Sequence, residues 1–267
     1  MTAELERSYT RLLRLYPAGY RRERGDEMLD VLLASGATRL SLRERRALIL
    51  GALRCRAGAT GRRDLGTTWR QSAALAACML MAFGAVSTVA REIAWPAGPD
   101  WRECVAAALG LAGILVAFRG WLPAAIGCAV AAYLFPMLSD GRLTYSWSVE
   151  WLLAAVLLIP AAVRGGRPPW RQAYLLVLPL ALLEPSLVPS PLQTGWIVLL
   201  AAVLAWTVLD ERAALAFGLM LTLGLADQGV AALSGLGFET TYVAMWVGWP
   251  GAMLVAGSVV ARRRARI

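Results

Sequence analysis

Residues 72–90, SAALAACMLMAFGAVSTVA, form an apolar run without a single charged side chain. A transmembrane helix needs about 17 to 25 mostly apolar residues, so this run predicts a membrane span. Hydrophobic residues make up 58% of the 267-residue chain, against roughly 45–50% in a typical soluble domain. Most of the chain is therefore expected to lie in lipid.

Further apolar runs follow the first, separated by short charged or Pro/Gly-rich breaks. They cover residues 104–118, 121–138, 147–163, 172–188, 195–209, 213–234 and 242–261. The runs 104–118 and 147–163 are short for a span, so seven spans or fewer stay open. The pattern predicts an all-α fold, a polytopic membrane helix bundle of about eight spans over residues 72–261.

Arginines mark which breaks face the cytoplasm, because short cytoplasmic loops carry an excess of basic residues. With the N-terminus inside, the outer breaks hold only Arg91, Arg102 and Arg142. The inner breaks and the basic tail, residues 262–267, hold Arg119, Arg164, Arg167, Arg171, Arg212, Arg262, Arg263, Arg264 and Arg266. This distribution predicts a multi-pass protein of the cell membrane with both termini in the cytoplasm. An even number of spans fits this distribution best, because it returns the basic C-terminus to the side on which the basic N-terminus starts.

Tryptophans fall close to the ends of the proposed spans, where an amphipathic ring prefers the headgroup level. The set comprises Trp69, Trp95, Trp101, Trp121, Trp147, Trp151, Trp170, Trp196 and Trp206. Their positions support the same frame of spans.

Residues 1–64 form a charged, amphipathic prefix that predicts three short cytoplasmic helices. Leu5, Tyr9, Leu12, Leu13 and Tyr16 recur at the spacing of one helical face. Pro17 then ends that helix, since the residue before a proline disfavours helical geometry. A second helix is expected over residues 18–34. The pair Ser41 and Glu44 has the spacing of a capping box and opens a third helix, which runs to about Arg56. Residues 65–71 are expected to be a linker into the first span.

The run RLLRLYPAGYRRERGDEMLDVLL, followed by SLRERRALILGALRCR, resembles a known type of prefix. It is similar to the N-terminal helical segment of a family of uncharacterised actinobacterial multi-span membrane proteins. That segment is HAAS-like and permease-prefix-like, and such proteins are often associated with PadR-like transcriptional regulators. The resemblance covers about residues 5–57 and implies a membrane protein that signals to, or is controlled with, a cytoplasmic regulator.

The prefix is the candidate partner-binding surface. Its candidate residues are the apolar and aromatic positions Tyr9, Leu12, Leu13, Tyr16, Pro17, Tyr20, Met28, Leu29 and Leu32. Its arginines could also lie over anionic lipid, or pair with acids on the same helix, as Arg22 and Asp26 would at i,i+4 spacing. Direct nucleic-acid binding is not expected, because acids are interleaved with the arginines.

A possible intramembrane polar site surrounds Asp227 and Gln228 in the run 213–234. A charge in a span usually faces the bundle interior, a partner or a watery cavity, because lipid exposure is costly. Glu184 and Glu150 are expected near the same outer face. One interpretation is a shallow acidic pocket that detects or passes cations, with Asp227 at its floor. The other is that Asp227 is neutralised by hydrogen bonds and the remaining acids are solvated.

The composition argues against catalysis. All 27 basic residues are arginine, and lysine and histidine are absent from the sequence, which removes the usual general base and Schiff-base chemistry. The four cysteines lack metal-binding spacing. No catalytic residue, cofactor or metal is predicted. The expected function is non-enzymatic and regulatory or sensory, relaying membrane or envelope state through the prefix to a partner. A small transporter, or the membrane subunit of a transport system, is the alternative.

Overall fold

The computed structural model describes residues 2–34, 40–56, 64–94, 100–140, 149–182, 210–233 and 240–265. Throughout these ranges every regular element is a helix, and they contain no β-strand. The all-α prediction is therefore confirmed. The chain divides into two compact units, Met1–Arg62 and Arg63–Ile267, referred to below as the N-terminal unit and the bundle.

The N-terminal unit contains helices α1 (Thr2–Leu13), α2 (Ala18–Ala34) and α3 (Leu42–Arg56). The break between α1 and α2 lies at Pro17, as the sequence predicts. Pro17 still supports α2 through its carbonyl, which accepts a hydrogen bond from the Arg21 amide at 3.0 Å. A proline is compatible with this position because the first amides of a helix have no intrahelical partner.

The core of the N-terminal unit is small and is built from the ends of its helices. Leu13, Tyr16, Ala52 and Cys55 are buried together, with Tyr20, Met28 and Leu29 packed against them. The rings of Tyr16 and Tyr20 stack with their centroids 5.5 Å apart. A side-chain hydrogen bond of 2.7 Å from Arg56 Nε to the Leu15 carbonyl ties the end of α3 to the α1–α2 turn.

The predicted capping box at the start of α3 is present. The Glu44 amide donates to Ser41 Oγ at 3.2 Å, and the Ser41 amide donates to Glu44 Oε2 at 2.9 Å. These reciprocal bonds satisfy two amides that the helix itself leaves unpaired. Hydrogen bonds from Ser41 also lower the pKa of the Glu44 carboxyl, since they favour its charged form.

The bundle begins with four long helices, α4 (Leu65–Ala94), α5 (Trp101–Phe118), α6 (Leu122–Asp140) and α7 (Val149–Arg164). A 3-10 helix (Trp170–Leu182) follows, and α8 (Glu211–Leu233) and α9 (Thr240–Ala265) complete the described part. Residues 65–71, predicted as a linker, form the first turns of α4. Asp64 caps this helix, because its Oδ2 accepts a hydrogen bond from the Thr67 amide at 3.3 Å.

Helix α4 lies at the centre of the bundle and contacts α5, α7, α8, α9 and the 3-10 helix. Each of the consecutive residues 74–81 is at most 1% exposed. A helix that is apolar all round is expected to be enclosed by other helices or by lipid, and here neighbouring helices surround it. Helices α8 and α9 are antiparallel, since Gly218 lies against Leu254 and Gly257 lies against Leu215.

Two helices in the described ranges are long and apolar enough to cross a membrane, by length and composition. They are Leu65–Ala90 and Trp101–Phe118, and Leu122–Leu138 is a shorter apolar helix. Most of the first window is buried inside the protein, and the central helix of a soluble fold meets the same criterion. The described helices thus do not confirm eight spans.

Candidate functional site

A cleft on the N-terminal unit runs along one face of α2. It has a volume of about 240 Å³ and is lined by Tyr20, Arg24, Glu27, Met28, Val31 and Leu32. These positions recur at the spacing of a single helical face. Helix α2 has no fully buried residue, and Val31 is 67% exposed. The cleft therefore combines accessible apolar surface with one positive and one negative side chain.

The predicted partner-binding residues divide between this cleft and the core. Tyr20, Met28 and Leu32 line the cleft, and Leu29 packs against the core beside it. Tyr9, Leu13 and Tyr16 are buried at 0%, 7% and 6% exposure. Their side chains stabilise the unit and are not on its surface. The remaining two residues, Leu12 and Pro17, are half-buried and do not line the cleft.

A second polar feature, the polar cluster, lies inside the bundle and consists of Gln71, Gln172, Asp210 and Arg212. Three of its members, Gln172, Asp210 and Arg212, are at most 4% exposed. They come from α4, the 3-10 helix and the start of α8. The cluster thus joins three segments that are far apart in the sequence.

Asp210 is the centre of the polar cluster. Its Oδ1 accepts from the Arg212 amide at 3.1 Å and from Arg212 Nε at 2.9 Å, so it caps α8 and forms an ion pair with the same residue. Gln172 Nε2 donates to Asp210 Oδ2, and Arg212 Nη1 donates to Gln71 Oε1 at 3.1 Å. The buried charges are thereby paired and hydrogen-bonded, as their removal from water requires.

The sequence places Arg212 in an inner break between two apolar runs, and in the structure its side chain is buried in this ion pair. The sequence Asp210-Glu211-Arg212 directly precedes a long apolar helix, and that pattern is a signal for a capping aspartate. The partners Gln71 and Gln172 have no such signal, because each stands alone beside an apolar run. Gln172 Oε1 is buried without a hydrogen-bond partner within the described ranges.

The predicted intramembrane site is not assembled by the described side chains. Asp227 and Gln228 lie on α8, but their side chains are outside the described residues, as is Glu184. Asp227 follows Arg212 by about 22 Å along the helix at 1.5 Å per residue, so it is remote from the polar cluster. Glu150 lies in the first turn of α7, and its Cγ lies 3.0 Å from the β-carbon position of Gly84 on α4.

Burial changes the pKa of two side chains in the core of the N-terminal unit. Burial raises the pKa of the Cys55 thiol, and burial with the nearby Cys55 and Tyr20 raises the pKa of Tyr16. Both groups stay protonated near neutral pH, and a protonated thiol is a poor nucleophile. Among the described residues, no group of three or more Cys, Asp or Glu side chains could hold a metal ion.

Several helix ends that carry arginines lie together at one end of the bundle. Arg70 on α4 donates from Nη1 to the Arg164 carbonyl at the end of α7, at 2.7 Å. The Phe118 ring at the end of α5 meets the Trp170 ring with centroids 4.8 Å apart. The Gln71–Arg212 contact adds the start of α8, and its antiparallel partner α9 ends there too. This end, called the arginine end, carries Arg70, Arg119, Arg164, Arg167, Arg212, Arg262 and Arg263.

Comparison with known proteins adds no relative: no family model, no curated protein and no solved structure matches this chain.

Proposed function

We propose that this chain is a multi-pass membrane protein of regulatory type. In this proposal the bundle crosses the cell membrane with its arginine end and both termini in the cytoplasm. Two features support this placement. Five exposed arginines of the proposed inner breaks and tail lie at one end of the bundle, Arg119, Arg164, Arg167, Arg262 and Arg263, and cytoplasmic loops carry such an excess. Trp101, Trp121 and Trp170 are each more than half exposed near helix ends, as expected at a membrane interface.

Reporter fusions test the placement. Fusions at Gly98 and Gly141 are expected to report the outer side, and fusions at Gly165 and Ile267 the cytoplasm, because the breaks between them alternate in arginine content. The measurement is the activity of a reporter that works on only one side of the membrane. Reversal at any one of the four positions contradicts eight spans with both termini inside.

The regulatory role rests on one observation, the cleft on α2 in a unit that has its own core. Its lining combines apolar side chains with Arg24 and Glu27, which suits an amphipathic partner helix, since such a helix packs through an apolar stripe flanked by charges. The resemblance of the prefix to PadR-associated membrane proteins indicates a PadR-like regulator as the partner. The N-terminal unit would then relay the state of the membrane or envelope to that regulator without enzymatic chemistry.

Val31→Asp is expected to weaken binding of a purified PadR-like regulator by about tenfold to thirtyfold. A central apolar contact is worth about 2 kcal/mol when lost, and 1.4 kcal/mol corresponds to a factor of ten. The measurement is the dissociation constant for full-length protein in lipid nanodiscs. Val31 is 67% exposed, so the substitution leaves the core of the unit intact.

Leu42→Asp is the matched control. Leu42 is 73% exposed, lies in the same unit and does not line the cleft. Binding by this variant is expected to stay within about twofold of the original protein, since surface changes away from a contact have small effects. Equal weakening by both variants would exclude the cleft as the docking site. No binding of the regulator by the unmodified protein would remove the regulatory proposal in this form.

Transport remains the alternative. It rests on Asp227 as a polar position within an apolar run, because intramembrane charges often mark an ion or substrate path. Asp227→Ala should abolish uptake of the transported ion in vesicles if that alternative holds, whereas the regulatory proposal expects regulator binding to be unchanged.

A further inference from the structure

Two apolar stripes run along the outside of the bundle and end at arginines. On α7, Leu152, Val156, Ile159 and Val163 are all more than 40% exposed and recur at the spacing of one helical face. On α5, Leu111 and Leu115 are about half exposed. The first stripe stops at Arg164 and the second at Arg119. Continuous exposed apolar surface of this kind marks a membrane or partner contact.

The turn that ends α5 lies against an arginine from the segment that follows α7. Helix α5 closes with hydrogen bonds from the Gly120 amide to the Ala117 carbonyl and from the Trp121 amide to the Val116 carbonyl, at 2.9 Å and 3.1 Å. Gly120 has φ +89°, which glycine adopts without strain. The guanidinium of Arg167 lies over this turn, since a β-carbon on Gly120 would stand 3.7 Å from its Nε. We define Arg119, Arg164 and Arg167 as the arginine corner.

The backbone beneath the arginine corner is held in place. Arg70 holds this backbone, because its Nη1 donates hydrogen bonds to the carbonyls of Arg164 and Gly165 at 2.7 Å and 3.4 Å. Trp170 is anchored on the buried Phe118 ring while its own ring is 59% exposed. Trp121, at the other side of the corner, is 69% exposed. Two aromatic side chains of headgroup preference therefore flank the corner.

The charges of the arginine corner are not neutralised within the described part of the bundle. Arg119, Arg164 and Arg167 are exposed and form no ion pair with a described carboxylate. The nearby acids are otherwise engaged: Asp210 pairs with Arg212, and Asp64 caps α4. Guanidinium groups bind phosphate in a bidentate manner and are weakly hydrated. The arginine corner therefore places groups that can bind a phosphate at the level where the exposed apolar surface ends.

We propose that the arginine corner binds the phosphate of an anionic phospholipid whose acyl chains lie along the α5 stripe. The inference rests on the membrane placement proposed above, but not on the regulatory role. The lipid source is favoured over free phosphate because the α5 stripe ends at Arg119, beside the turn that Arg167 covers. An occupant with apolar chains satisfies both surfaces, whereas inorganic phosphate satisfies only the arginines.

The test is titration of the full-length protein in neutral detergent with phosphatidylglycerol, followed by native mass spectrometry. The double variant Arg119→Gln/Arg167→Gln is expected to raise the apparent dissociation constant at least about tenfold, since each arginine near a membrane surface contributes to anionic lipid binding. The matched control, Arg262→Gln/Arg263→Gln, removes the same charge from exposed positions at the end of α9. It is expected to change the constant by less than about twofold.

Three results would overturn the proposal. Equal weakening in both double variants would indicate general attraction to a basic surface, and equal affinity for phosphatidylcholine would remove the role of anionic charge. Competition by inorganic phosphate at the concentration of the lipid would show that the acyl chains contribute nothing. If the glutamine variant fails to fold, Arg119→Lys/Arg167→Lys serves instead and is expected to show a several-fold loss, because lysine keeps the charge but not the bidentate geometry.

The lipid proposal and the regulatory proposal can be contradicted separately. Regulator binding is measured on the same corner variants, and it depends on the cleft of the N-terminal unit. Loss of lipid specificity with intact regulator binding would leave the regulatory proposal standing. Preserved lipid specificity without regulator binding would contradict the regulatory proposal and leave the lipid proposal standing.

Discussion

Arg212→Met is expected to lower the free energy of unfolding of the bundle by about 3–5 kcal/mol, the usual cost of removing one partner from a buried ion pair. The cost arises at Asp210, which is 0% exposed and would lose its counter-ion. Hydrogen bonds of 2.9 Å and 3.1 Å from Arg212 Nε to the two carboxylate oxygens would disappear. The contact of Arg212 with Gln71 on α4 would be lost as well.

The measurement is reversible unfolding of full-length protein by sodium dodecyl sulfate in mixed micelles. Asp210→Asn/Arg212→Met is expected to recover more than half of the loss, because asparagine still caps α8 and no buried charge remains. Arg263→Met, an exposed arginine on α9, is the control and should change stability by less than about 0.5 kcal/mol. An Arg212→Met variant as stable as this control would mean that the ion pair contributes nothing to the bundle.

In the N-terminal unit, local sequence signals predict the helix ends but not the packing of the helices. Pro17 predicts the break before α2, and the pair Ser41 and Glu44 predicts the start of α3; both are found. Each of these signals acts within one helical turn, so the neighbouring residues alone determine the outcome. The division of the side chains between cleft and core could not be predicted from such local signals. Whether Tyr16 or Tyr20 is accessible depends on where α3 packs, and no local pattern carries that information.

The burial of Arg212 in the polar cluster could not be predicted from its place in the sequence. Arg212 stands between two apolar runs, so the distribution of arginines places it in an inner break and says nothing of its burial. In the bundle it is enclosed by α4 and the 3-10 helix, and its charge is matched by an aspartate two residues earlier. The correct assignment needs the contacts among Gln71, Gln172 and Asp210, which are separated along the chain by many tens of residues. Only tertiary structure brings them together.

Trp151 is a second residue whose surroundings could not be predicted from its place in the sequence. It lies near the start of a predicted span, where tryptophan usually marks the headgroup level. Trp101, Trp121 and Trp170 are more than half exposed, whereas Trp151 is 0% exposed. The reason is a recess made by two glycines on other helices, Gly84 on α4 and Gly110 on α5. A β-carbon on Gly84 would stand 2.9 Å from the Trp151 ring, and one on Gly110 would overlap it.

Trp151→Ala is expected to cost about 3–5 kcal/mol of bundle stability, as for other truncations of large buried aromatic side chains. The glycines that accommodate the ring have no side chains with which to fill the space it leaves. The measurement is again unfolding of full-length protein in mixed micelles. Trp121→Ala, at a position 69% exposed, is the matched control and should cost less than half as much.

Three further variants separate cavity formation from loss of the indole itself. Trp151→Phe is expected to cost much less than Trp151→Ala, because it keeps most of the ring and removes an N–H that has no hydrogen-bond partner in the described residues, and an unpaired buried donor is itself unfavourable. Gly110→Ala alone should destabilise by about 1–3 kcal/mol through overpacking. In the Trp151→Ala background the same change should be neutral or stabilising, since the new methyl group enters the vacated recess. Additive losses in the double variant would show that Trp151 and Gly110 are not in contact.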